Sequence, residues 1–108
     1  MMTKALLQIN FNINISRSDY EKLGAQVATL ISKVPGLIWK VWAIDEGRKE
    51  AAGIYLFEDR TSAQRYLAGE IITAIKSNPA LSNMSAKLFD VQDDLSRITR
   101  GPLQLVRA

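Results

Sequence analysis

The chain has 108 residues, 47% of them hydrophobic and 23% charged, and a formal net charge of +3, a profile that fits one globular domain spanning residues 1–108 around a single core. It contains no cysteine and no histidine, which excludes disulfides, thiolate and imidazole metal or haem sites, and catalysis by either side chain. Lys and Arg are dispersed from Lys4 to Arg107 rather than gathered into a nucleic-acid-binding stripe, and no run approaches the roughly 18 apolar residues of a membrane span, so the expectation is a soluble cytoplasmic protein that binds neither.

From Lys4 to Ile15 the chain alternates, with Ala5, Leu7, Ile9, Phe11, Ile13 and Ile15 on one side and Leu6, Gln8, Asn10, Asn12 and Asn14 on the other. This predicts a strand with one dry face and one amide-rich face. Ser18-Asp19-Tyr20-Glu21 has the form of a capping box. Tyr20, Leu23, Val27, Leu30, Ile31 and Val34 then recur at helical spacing up to Pro35, predicting an amphipathic helix that ends at Val34. Gly24 lies on that stripe, where it permits close approach to a neighbour.

Leu37 to Ile44 and Ala52 to Phe57 are rich in β-branched and aromatic residues, and the polar stretch Asp45 to Lys49 between them contains Gly47. The pattern predicts a hairpin with a connection of about five residues. Pairing Ile44 with Glu50 sets Trp39 opposite Tyr55 and Lys40 opposite Ile54. On that register Trp39 and Tyr55 face the helices while Lys40 and Trp42 share the other face with Ile54 and Leu56.

Thr61 to Gln64 offers a second capping box, and Ala63, Tyr66, Leu67, Ile71, Ala74 and Ile75 continue as one helix closed by Ser77-Asn78-Pro79. Ser85 to Val91 alternates as a fourth strand. The order βαββαβ with right-handed crossovers predicts an α+β, ferredoxin-like fold: a four-stranded antiparallel sheet with both helices on one face. The opposite face is then apolar and bare, the mark of an interface. Asp93-Asp94 suits the start of a short helix in the segment 93–108, and Leu103, Leu105 and Val106 after Gly101-Pro102 read as a frayed end or as a strip that docks on a partner.

Several of these residues carry a resemblance. Leu6-Leu7-Gln8, Phe11 and Asn14, then Pro35-Gly36 with Trp39-Lys40-Val41-Trp42, Gly53-Ile54-Tyr55-Leu56-Phe57, Ala86-Lys87 and Phe89-Asp90-Val91 together resemble the YdhR-like monooxygenase family, dimeric α+β barrel proteins related to the antibiotic-biosynthesis monooxygenases. The resemblance implies a homodimer whose two sheets pack face to face. It also implies a pocket between sheet and helices in which a small aromatic or polycyclic compound is oxidised by dioxygen without flavin, metal or other cofactor.

Such chemistry needs a proton acceptor, hydrogen bonds to a developing oxyanion and a dry cavity. Trp39 and Tyr55 are candidate aromatic walls, and Asn10, Lys40 and Trp42 candidate polar contacts to substrate. Each has a structural alternative: core packing for Trp39 and Tyr55, the dimer interface for Trp42, and an ion pair with Glu50 or Glu58 for Lys40. No strong base is evident in a chain without histidine. A non-catalytic dimeric module that binds a hydrophobic metabolite is the alternative function, since apolar walls with few polar groups serve both. An RNA recognition motif shares the βαββαβ order, but the first strand lacks an aromatic on its Leu6, Gln8, Asn10 side.

Overall fold

The computed structural model describes residues 3–104. The elements are β1 (Ala5–Ile13), α1 (Arg17–Ser32), β2 (Leu37–Asp45), β3 (Glu50–Phe57), α2 (Arg60–Leu67), α3 (Glu70–Ser77), β4 (Leu81–Asp90) and α4 (Asp93–Ile98). The four strands form one antiparallel sheet in the order β2-β3-β1-β4, the ferredoxin-like arrangement that the sequence pattern implies. Among the described residues no helix is long and apolar enough to cross a membrane.

The dry side of β1 is the floor of the core. Ala5, Leu7 and Ile9 bury with Tyr55 and Phe57 from β3, Ile31 from α1, and Ala63, Tyr66 and Ile72 from the later helices. Tyr55, Phe57 and Tyr66 form an aromatic knot with ring centroids 5.1 to 6.1 Å apart. Its one polar demand is met internally, because the Tyr55 and Tyr66 hydroxyls hydrogen-bond each other at 3.0 Å.

Both capping boxes are displaced toward the N-terminus. The α1 cap is Ser16, whose Oγ accepts from the Asp19 N–H at 3.1 Å, so Ser18 already lies inside the first turn; the helix also stops at Ser32 rather than Val34. The α2 cap is Asp59, whose Oδ1 accepts from the Ser62 N–H at 2.7 Å. In both cases the residue still extended ahead of the first turn takes the cap. The single helix expected after the hairpin is two, broken at Gly69, whose carbonyl accepts from the Thr73 N–H and starts α3. The break resets the helical phase, so that Tyr66 and Ile72 are both buried. The fourth strand begins at Leu81, four residues earlier than expected.

The hairpin departs most from expectation. Asp45 pairs with Glu50, leaving a connection at 46–49 that is one residue shorter than expected. The Asp45 carboxylate accepts from the Arg48 N–H at 3.2 Å, and the Lys49 N–H closes on the Glu46 carbonyl at 3.2 Å. Lys49, not Gly47, adopts the left-handed conformation, with φ 53°. The spare residue is taken up at Ile38, where the ladder shifts between Leu37↔Phe57 and Trp39↔Leu56. A one-residue shift turns every β2 side chain beyond it to the other face. Lys40 therefore opposes Tyr55 and Trp42 opposes Gly53, both toward the helices, while Trp39 and Val41 join Ile54 and Leu56 on the open face.

The chain's own tail covers one end of that open face. Trp39 Nε1 donates to the Pro102 carbonyl at 2.8 Å, Leu103 is only 8% exposed, and Leu56 is fully buried. Leu103 is thus docked rather than frayed, because Gly101 and Pro102 turn the chain back after α4 and offer the indole its acceptor; Leu105 and Val106 lie outside the described residues. The remainder of the face stays bare, with Val41 51% and Phe89 48% exposed. Leu103→Ala should lower unfolding free energy by about 2 kcal/mol, the low end for a buried leucine at a surface site, as read from the urea midpoint. An unchanged midpoint would mean that the tail does not seal the sheet.

Candidate active site

Between the helix face of the sheet and helices α1 and α3 lies an apolar cavity of about 310 Å³, within the size range of small-molecule sites. Ile9 and Phe11 from β1, Gly53 and Tyr55 from β3, and Lys40 and Trp42 from β2 make its floor and side, while Gly24, Val27, Ile71 and Ile75 are among the residues of its roof. Tyr20 from α1 also lines it, with its ring 6.1 Å from that of Phe11.

Two glycines set the shape. A Cβ at Gly53 would stand 2.9 Å from Lys40 Cε and 2.9 Å from Tyr55 Cε1, so only the bare backbone lets the lysine stem lie across β3 toward the tyrosine. A Cβ at Gly24 would stand 3.1 Å from Trp42 Cζ3, which fixes how closely the indole approaches α1. Lys40 Nζ ends 3.3 Å from the centroid of the Trp42 ring and 4.7 Å from that of Tyr55. Trp42 is 38% exposed and forms the wall at the outer edge of the sheet.

Of the sequence-predicted site residues, Lys40, Trp42 and Tyr55 come together here. Trp39 and Asn10 do not, because they lie on the opposite face of the sheet. Trp39 is held by the tail. Asn10 sits in a shallow polar depression with Gln8, Glu50, Ser85 and Lys87, accepting from Gln8 Nε2 at 3.0 Å and donating to Glu50 Oε2 at 3.3 Å. Glu50 is thus engaged on the far face and does not pair with Lys40. Phe11, Tyr20 and Gly53 line the cavity without having been singled out. The signal for Gly53 was there, since a glycine inside a strand marks a close approach.

A family model described as Putative mono-oxygenase ydhR matches residues 6–102. The chain belongs to the ydhR family. No curated protein matches it, but several solved structures share its fold. NE2512, a protein of unknown function from Nitrosomonas europaea, superposes with a TM-score of 0.71 at 20% identity over 84% of this chain and 91% of that one. SnoaB, a cofactor-independent oxygenase from Streptomyces nogalater, gives 0.68 at 17% identity over 83% and 94%. MhuD, a heme-degrader from Mycobacterium tuberculosis, gives 0.63 at 20% identity over 81% and 95%, and its structure holds two hemes in the active site.

In this ydhR-family protein the cavity strongly perturbs its ionisable groups. Burial lowers the pKa of Lys40 to about 7, because an ammonium in an apolar slot loses its hydration. Burial, then the neighbouring Tyr66 phenol, pushes the Tyr55 hydroxyl far above the usual tyrosine range; burial also raises Tyr20 and Tyr66. The three phenols are therefore neutral donors near neutral pH. Among the described residues no ion pair involves Lys40.

The sign of the lysine effect on stability follows from linkage. Between about pH 7 and the ordinary lysine value near 10.5 the unfolded chain binds the proton and the folded one releases it, so the penalty of burying Lys40 is full below that window and vanishes above it. Lys40→Met should raise the melting temperature at about pH 7 and do so much less at about pH 10.5; equal effects at both would show that Lys40 titrates normally. Gly53→Ala should cost about 1 to 3 kcal/mol by overpacking and should change the Trp42 fluorescence as the lysine is displaced, whereas a neutral substitution would mean that the lysine stem does not cross β3.

Proposed function

We propose that the protein is a cofactor-independent monooxygenase that oxidises a small aromatic or polycyclic compound with dioxygen in the cavity between sheet and helices. The observation that carries this reading is the composition of that cavity: aromatic and aliphatic walls, neutral phenols, and one amine. The ydhR family and the fold shared with SnoaB support it. An activated methylene of the anthrone type illustrates the chemistry. Its carbanion adds dioxygen to give a hydroperoxide, which loses water to leave a carbonyl. One oxygen atom stays in the product, the other leaves as water, and the four electrons come from the substrate, so no external reductant is needed.

Trp42 and Tyr55 would hold the ring system by stacking and edge contact, with the walls excluding water from the carbanion. A haem-degrading role has less support, because the chain offers neither histidine nor cysteine to iron. Purified protein should accelerate oxygen uptake with anthrone, and Trp42→Ala or Tyr55→Phe should slow it at least about tenfold through misplacement of the ring, while Trp39→Phe on the far face should leave it unchanged. Saturable binding of such compounds without oxygen uptake would instead identify a carrier or sensor.

The same reading makes the protein a homodimer, with the bare face around Val41 and Phe89 covered by the sheet of a second copy. Trp39 and Asn10 then belong to the dimer side rather than to the substrate. Light scattering should give about twice the 12.0 kDa subunit mass, and introducing a charge at Phe89 (Phe89→Glu) should halve it; a stable wild-type monomer at micromolar concentration would sink the dimer.

A further inference from the structure

Lys40 is the only cationic side chain lining the cavity among the described residues. Lysines drawn out of water are normally paired with a carboxylate, yet this half-buried side chain directs its amine over the Trp42 ring at 3.3 Å and toward the Tyr55 ring at 4.7 Å. It has no ion pair among the described residues, and the absence of a side chain at Gly53 is what lets it reach that position. The other titratable groups facing the cavity are phenols and one exposed carboxylate, with one amide beside them. Tyr20 on α1 and Tyr55 on β3 are phenols, Tyr55 is already bonded to Tyr66 of α2, Asn78 just after α3 accepts from the Ala80 N–H at 2.9 Å, and Glu70 at the start of α3 is exposed to water.

We propose that Lys40 is the proton acceptor of this cavity and that the ligands it selects are aromatic compounds bearing an ionisable hydroxyl or its enol equivalent. The proton passes from the ligand oxygen to Nζ, the O–H bond breaking as an N–H bond forms. The anion then stays paired with the new ammonium against the rings of Trp42 and Tyr55. The inference rests on the oxygenase reading, for which it supplies the base that a chain without histidine otherwise lacks.

The pair is favoured for two reasons. The faces of both rings stabilise the ammonium by cation–π attraction, and in an apolar slot the attraction between ammonium and anion is screened far less than in water. Because burial brings the pKa of Lys40 to about 7, a substantial fraction of the amine is free to accept at neutral pH. A neutral aromatic without an acidic proton gains only the apolar contacts. A permanently anionic ligand requires the lysine to take its proton from solvent first.

2-Naphthol tests this directly, since its neutral and ionised forms have separate ultraviolet bands, and 2-methoxynaphthalene is the matched probe without the proton. Bound naphthol should ionise about one to three pH units below free naphthol. Lys40→Met should abolish that shift while leaving the affinity for 2-methoxynaphthalene within about threefold. In Lys40→Arg, whose cation cannot accept a proton, binding at about pH 8 should release close to one proton per naphthol to the buffer, whereas the wild type releases almost none. Calorimetry in two buffers of different ionisation enthalpy reads that difference. Naphthol that binds wild-type protein but ionises there as it does in water would overturn the inference and leave the oxygenase reading standing. Failure of both probes to bind would remove the aromatic cavity, and the two readings with it.

Discussion

The pairing of β2 with β3 is the constraint on which the site depends. Four residues connect the strands, an aspartate turn closes them, and a bulge at Ile38 absorbs the residue left over. Because side chains alternate along a strand, that single offset decides which half of the WKVW segment meets the helices. Lys40 and Trp42 face the cavity, Trp39 and Val41 face away. Had the Leu37↔Phe57 register continued along the ladder, the amine would lie beside Ile54 of β3 on the open face and the cavity would hold the Trp39 indole in its place.

Around that register the packing is arranged so that a charge-capable group survives in an apolar slot. The aromatic knot of Tyr55, Phe57 and Tyr66 satisfies its own hydroxyls and so makes no demand on the cavity. Gly53 and Gly24 remove the two side chains that would otherwise fill the space above the sheet. What remains is a volume walled by hydrocarbon and π faces, with one amine at its side. Burial works against the stability of the ammonium, and the ring faces work in its favour. A group held near the balance of these effects changes protonation state at little cost, which is the property acid–base chemistry needs.

The two faces of the sheet thus divide the work. The helix face carries the cavity. The other face is sealed at one end by Pro102 and Leu103, while Val41 and Phe89 and a polar depression around Asn10 are left at the surface. A tail that docks on its own sheet reduces the area available to a partner and confines any interface to the unsealed part. This separation also explains why residues adjacent in sequence, Trp39 and Lys40, have unrelated surroundings: they are neighbours along the strand and lie on opposite sides of a layer.

Much of this architecture is legible in the sequence. The alternation of β1, the apolar stripes of the helices and the aromatic hairpin determine the element order, the ferredoxin-like fold and the dry face, because side-chain periodicity is a local property written residue by residue. The family is legible from the same segments. Gly24 on its stripe foretold a close approach, and the lack of histidine and cysteine limited the chemistry. Register is different in kind. Asp45–Lys49 is compatible with a loop of four or five residues, and only the turn geometry together with the bulge at Ile38 selects one. The helix break at Gly69 and the docking of Leu103 were likewise settled by which side chains the core accepts. Composition and order came from the sequence alone; the assignment of Lys40 to the cavity was decided by tertiary structure, because a one-residue shift has little local cost and reverses every face.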